Sequence, residues 1–329
     1  MALKIATRII AAAAVFWSVA ASCAPVAVSE SDRQAAQTAT NYGAHFFPTH
    51  EKMKAYPPSA RTVGSLALLG RLTQNLGTPS PFKADLATSG GPFIQSATQY
   101  LVFVNCAAGD CWGTPGPAAS LADLNASDFI HILDQYTGST ANGRYPVAPI
   151  APFNVTTPAA PILYESDLTS SLHAAMVAGS LTGGYDKIFH ILLPNGQATC
   201  FDAPDDSKCY SPGNTSTFVF CGYHGAIDFP DLGHVIYTVE PYQAVNECSN
   251  YFVSRSGHSV IQDATLRILG HDLFGAVTNP DISNGFVNAG GSEIGDICNG
   301  TQFSIPLTSS EYVVQLGYSN ISHACASLP

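Results

Sequence analysis

The chain's longest helical pattern ends in Ile268-Leu-Gly-His271-Asp272-Leu-Phe-Gly275-Ala-Val-Thr-Asn279-Pro280. A histidine followed at once by an acid, late on a helix, is half of a metallohydrolase device. In that device, ligands at i and i+4 share one helical face, and the acid at i+1 is general base toward a metal-bound water. Position i+4 from His271 is Gly275, which has no side chain to coordinate anything. Asp272 is one methylene shorter than the customary glutamate, so it reaches less far toward a water held by His271. Other catalytic templates are missing: there is no Gly-x-Ser-x-Gly elbow, no phosphate-binding Gly-x-x-x-x-Gly-Lys-Ser/Thr loop and no Gly-x-Gly-x-x-Gly fingerprint. No spacing singles out a glycosidic pair among Asp228, Asp231, Asp281 and Asp296. Trp112 and the fourteen tyrosines suit sugar stacking, and equally an ordinary core.

The elements that must position these residues follow from period and punctuation. Ser259 caps a predicted helix over Val260–Val277, with Ile261, Leu266, Leu269, Leu273 and Val277 along one side and Pro280 as the stop. Further helices are predicted over Val63–Leu76, over Leu121–Tyr136 and from Ser166 or Asp167 to Gly179. Strands are predicted at Tyr100–Val104, Lys187–Leu193, Thr217–Tyr223, His234–Val239 and Tyr312–Leu316. Interleaved helices and short strands make residues 99–329 an α/β or α+β domain. Residues 23–98 read as a variable N-terminal segment, partly disordered, with Tyr56-Pro57-Pro58 a clear breaker.

Four segments then recur in a known order: Phe220-Cys221-Gly-Tyr223-His224, His234-Val-Ile-Tyr237-Thr-Val-Glu-Pro-Tyr242, His271 to Pro280, and Ser292-Glu293-Ile-Gly-Asp296-Ile-Cys298. In this order they resemble the secreted phosphate-induced protein 1/EXORDIUM-like family and its microbial relatives, which look like zincin-type metallopeptidases. The resemblance covers residues 99–329, is strongest from 186 onward, and is absent from 24–98. It implies a zincin-like domain with a mixed sheet and a long active-site-type helix. It also implies that His271 is a metal ligand, that Asp272 stands at the general-base position, and that Glu293 and Asp296 are intact members of the site. Gly275 stands where the second helix ligand belongs, Asn279 replaces an Asp, and Phe286 falls near a position often held by Trp. The metal candidates that remain are His271, Glu293 and Asp296, completed by His224, His234 or Asp281. Such a set suits Zn²⁺ or Ca²⁺. Its alternative is no metal at all, with the two carboxylates capping loop N–H groups.

Composition supplies the address. Met1 to Ser22 reads as a signal peptide: Lys4 and Arg8 precede an Ala-rich apolar run too short to span a bilayer. Cys23, after Ala20-Ala21-Ser22, permits lipidation as a second reading. The other eight cysteines are expected to pair as sequence neighbours: Cys106 with Cys111, Cys200 with Cys209, Cys221 with Cys248, and Cys298 with Cys325. Asn125, Asn154, Asn214, Asn299 and Asn320 begin Asn-X-Ser/Thr sequons open to glycosylation. Lys plus Arg number 13 against 24 acids and only 11% of residues are charged, so no basic surface for nucleic acid exists. The expectation is a secreted, extracellular or cell-surface protein (periplasmic or lipid-anchored in a bacterium), without a membrane span. Three functions stay open: a non-catalytic protein with a degenerate site, a metal-dependent peptidase or hydrolase rearranged around His271, and a binder of cell-wall polysaccharide. Its partners would be wall polysaccharide or extracellular protein.

Overall fold

Seven strands build one sheet that helices cover on both faces. The computed structural model describes residues 25–55, 61–62, 82–106, 111–112, 116–201, 203, 205–249 and 257–329. The signal peptide, Cys23, the Tyr56-Pro57-Pro58 breaker and the Val63–Leu76 helix lie outside the described residues. The strands are β1 (Val26–Ala27), β2 (Thr40–Pro48), β3 (Thr98–Val104), β4 (Phe153–Thr156), β5 (Lys187–Leu192), β6 (Phe220–Phe229) and β7 (Gly233–Glu240). They lie in the order β1-β4-β3-β5-β7-β6-β2. The first five run parallel, whereas β7–β6 is an antiparallel hairpin and β2 is antiparallel to β6. The fold is therefore mixed α/β around a mixed sheet.

Side-chain alternation splits the interior into two cores. Ile188 and Ile236 point to the face that carries Leu266, Leu269 and Leu273, while Phe189, Ile191, Val235, Tyr237 and Val239 point to the face that carries Leu168 and Leu172. Helix α1 is Glu30–Thr38, α2 Pro117–Ala126, α3 Glu165–Ala178 and α4 Val260–Thr278. The last is buried around its whole circumference from Asp263 to Thr278, as expected of a helix apolar on every side. Its start is a capping box between Ser259 and Gln262, and it stops before Pro280, which cannot continue a helix.

Three elements depart from the sequence expectation. The helix expected over Leu121–Tyr136 is broken into α2, a 3₁₀ segment Asp128–Leu133 and one turn Asp134–Thr137, because Ser127 is extended and its hydroxyl bonds back to the Leu124 carbonyl. The strand expected from Thr217 begins at Phe220, since the amides of Thr217 and Phe218 are held in a turn by the Asn214 carbonyl. Residues 23–98 were expected to stand apart from 99–329, yet they supply β1 and β2, both edges of the sheet. Ala87–Thr88 also pairs with Phe286–Val287. An edge strand with one wet face shows little hydrophobic alternation, which is why β2 is faint in the sequence.

All four disulfides join the expected sequence neighbours. Among the described residues no helix is long and apolar enough to cross a membrane. Cys298–Cys325 closes a 27-residue separation and ties the loop after α4 to the last strand, Ala324–Ala326. Replacing both cysteines by serine is expected to cost about 3 kcal/mol of stability, read as a lower urea midpoint against the oxidised parent.

Candidate metal centre beside the long helix

Five side chains converge where α4 crosses β6 and β2. His271 comes from the middle of α4, His224 from β6, His45 from the edge strand β2, and Glu293 and Asp296 from the loop after the helix. Register explains the two strand histidines: His45 and His224 are direct cross-strand partners, and their rings stack at 5.8 Å between centroids. His45 Nε2 lies 2.5 Å from Asp296 Oδ2, and its Nδ1 lies 3.6 Å from Glu293 Oε1. His224 Nε2 is 3.5 Å from the same Glu293 oxygen. His45, Glu293 and Asp296 each bring a donor atom within 4.8 Å of the others'. Only the rims meet solvent, with the His45 side chain 23% exposed and that of Asp296 13%.

The sequence left a hole at Gly275, and the structure fills it. A Cβ at Gly275 would run into the His224 ring, with Nδ1 at 2.8 Å, and into Glu293 Oε2 at 2.7 Å. The volume a helix ligand would use is taken by an imidazole from the neighbouring strand. Asn279 is accounted for as well. Its Nδ2 donates to Glu293 Oε1 at 2.6 Å and its Oδ1 accepts from the Gly285 amide at 2.8 Å, so an aspartate there would place a second carboxylate against Glu293. Phe286 packs among Phe93 and Tyr136, away from the carboxylates.

His271 is oriented by a residue that sequence reasoning missed. Gln315 Nε2 donates to the Gly295 carbonyl at 2.6 Å, which fixes which end of the amide faces inward. The same nitrogen lies 3.0 Å from His271 Nδ1, which must therefore accept. Burial holds the His271 pKa down to about 4, so the ring is neutral at pH 7 and its one proton sits on Nε2. That N–H faces Asp296 Oδ1 at 3.8 Å. In this tautomer His271 supports a carboxylate and has no lone pair directed at the cluster.

Asp272 is turned away. It is fully buried, and its Oδ2 lies 2.7 Å from where a Cβ on Gly222 would be. Burial raises its pKa well above the usual range. Glu240 on β7 shifts the same way, from burial first and from Asp272 next. Burial thus opposes ionisation of both acids. His234 and Asp281 are not part of the cluster either. They pair with each other at 3.0 Å, and His234 also meets Asp228 at 2.5 Å. Asp228 is four residues along β6 from His224, roughly 13 Å at strand rise.

Charge decides what the cluster can hold. Burial opposes ionisation of Asp296, but His45 outweighs it and holds that carboxyl far below its usual range; Glu293 is also lowered, by His224 and His45 against burial. Burial likewise opposes a charged His45, but Asp296 and then Glu293 push its pKa up to about 10. Two carboxylates thus lie against the His45 ring, with His224 beside Glu293. Both His224 nitrogens and Glu293 Oε2 are buried with no hydrogen-bond partner among the described residues. A divalent cation satisfies orphaned imidazole and carboxylate atoms, and His45, Glu293 and Asp296 lie close enough to share one, so the residues fit a metal. His45, once it gives up its second ring proton, would hold it with Glu293 and Asp296, and His224 beside Glu293 would complete the set. Two imidazoles favour Zn²⁺ over Ca²⁺, which prefers an all-oxygen shell. The trio Cys200, Asp206 and Cys209 also lies close together, but its two thiols are consumed in a disulfide.

No family model, curated protein or solved structure matches the chain.

Two outcomes test this geometry. Gly275→Ala, a change that stabilises an ordinary helix interior by about 1 kcal/mol, is expected here to destabilise by about 1–3 kcal/mol through overpacking against His224, measured by urea denaturation. The second concerns pH in the metal-free protein. A histidine whose folded pKa is raised contributes all of its stabilisation below its unfolded value near 6.5 and loses it as pH rises through about 10. The stability gap between the parent and His45→Gln should therefore be widest near pH 6 and shrink steadily by pH 9.5.

Proposed function

We propose that the chain is an exported, disulfide-braced protein with a zincin-like build, whose altered centre binds one divalent transition ion, Zn²⁺ by preference, without hydrolysing peptides. The observation that carries this reading is the exchange at Gly275: the ligand lost from the helix is replaced by His224, with His45 added from β2. The bound ion would supply a positive charge between the two clustered carboxylates, Glu293 and Asp296. It would also pin three separate elements together: the edge strand β2, the hairpin strand β6 and the loop after α4. That is the work of a structural metal, which contributes binding energy to folding.

Loss of hydrolysis follows from Asp272. A general base must reach the metal-bound water in ionised form. Here the acid at that position is fully buried against Gly222, and burial raises its pKa well above the usual range, which opposes the ionised form. The four disulfides and the sparse charge are compatible with life outside the cell, and the leader-like Met1–Ser22 supports export. The EXORDIUM-like resemblance adds that non-catalytic relatives exist in extracellular settings.

Calorimetric titration of metal-stripped protein with Zn²⁺ tests the reading. One site is expected, with His45→Ala or His224→Ala weakening it more than 100-fold and His271→Ala about 10-fold, the effect of losing a supporting residue. Cleavage of a broad peptide library by the zinc-loaded parent, or a titration in which His271→Ala abolishes binding while His45→Ala does not, would overturn it.

A further inference from the structure

The five sequons are chemically unlike once folded. Asn125 is 8% exposed and its Oδ1 accepts from the Tyr145 amide at 2.7 Å; Asn299 is 6% exposed beside Cys298. Asn320 is locked to Leu86 from both ends of its amide, accepting at 2.9 Å and donating at 2.8 Å. Asn154 sits within β4, a strand paired on both sides, where the chain cannot bend around the amide. Asn214 differs on every count. It is exposed, in the turn between Cys209–Tyr210 and β6, and an added Cβ on neighbouring Gly213 would meet nothing within 4 Å. The sequon hydroxyl is already in place, since Ser216 Oγ donates to Asn214 Oδ1 at 2.7 Å and the Ser216 amide approaches the same oxygen at 3.3 Å. A hydroxyl on the carbonyl oxygen two residues upstream draws electron density from the amide and bares Nδ2 on the outer side of the turn.

We infer that Asn214 is the single N-glycan acceptor of this chain, taking an oligosaccharide from a lipid-diphosphate donor; this rests on the export reading. In the transfer, Nδ2 forms a bond to C1 of the first sugar as the C1–oxygen bond to diphosphate breaks. The lipid diphosphate leaves with the electron pair, and the amide proton passes to a base of the transferase. The glycan projects from the turn into solvent and crosses no packed surface. The other four asparagines stay bare because each is inside the fold or inside the sheet.

The test is secretion of the full chain from yeast or insect cells, with intact mass, endoglycosidase sensitivity and peptide mapping of the secreted protein. A parallel preparation carries a heterologous leader in place of residues 1–22, so the acceptor is tested whatever the native leader does. One glycan on Asn214 is expected, lost in both Asn214→Gln and Ser216→Ala and retained in Ser216→Thr. Secreted, folded protein with Asn214 bare, or with sugar on Asn125, Asn154, Asn299 or Asn320, overturns the assignment. Failure of only the native leader to deliver protein to the medium counts against export and leaves the acceptor result standing.

Discussion

One volume beside α4 holds either a side chain from position 275 or the imidazole of His224, and the sequence has chosen the imidazole. Close packing allows no compromise, because a single Cβ at Gly275 already collides with the ring and with Glu293. Much of the site follows from that exclusion. With His224 seated, Glu293 is steered between two histidines and is steadied by the Asn279 amide. Asp296 is left to face His45 across the edge of the sheet. The helix keeps its own histidine, but Gln315 turns the proton of His271 toward the carboxylates, so that residue supports the centre from behind.

A second glycine sets the position of the acid that follows His271. Gly222 makes room for Asp272 between α4 and the sheet, where burial raises its pKa well above the usual range, and Asp272 in turn helps to raise that of Glu240. A buried pair of acids is costly to ionise. Beside it stand two carboxylates and two strand histidines, of which His45 and Asp296 reach solvent in part.

The sequence revealed more of the fold than of the site. The α4 boundaries were legible because Ser259 and Pro280 punctuate a nineteen-residue run, and the disulfides pair by proximity along the chain. Glu293 and Asp296 could be singled out from their motif, and the structure does bring them together. His45 could not be found that way. It lies on an edge strand with muted alternation, in a stretch with no motif, and its partner His224 is 179 residues away in sequence. Gly275 was legible only as an absence; that the gap is a fitted socket needs the neighbouring strand in place. The tautomer of His271 depends on one amide from Gln315, which no spacing rule connects to the helix.

The most direct measurement is an anomalous-difference map from crystals of the stripped protein soaked in Zn²⁺, collected on either side of the zinc edge. The account predicts one peak within bonding distance of His45, His224, Glu293 and Asp296, with the His271 ring outside the coordination shell. A peak coordinated by His271 and missing the two strand histidines, or no peak at a zinc concentration that saturates the titration, would contradict it.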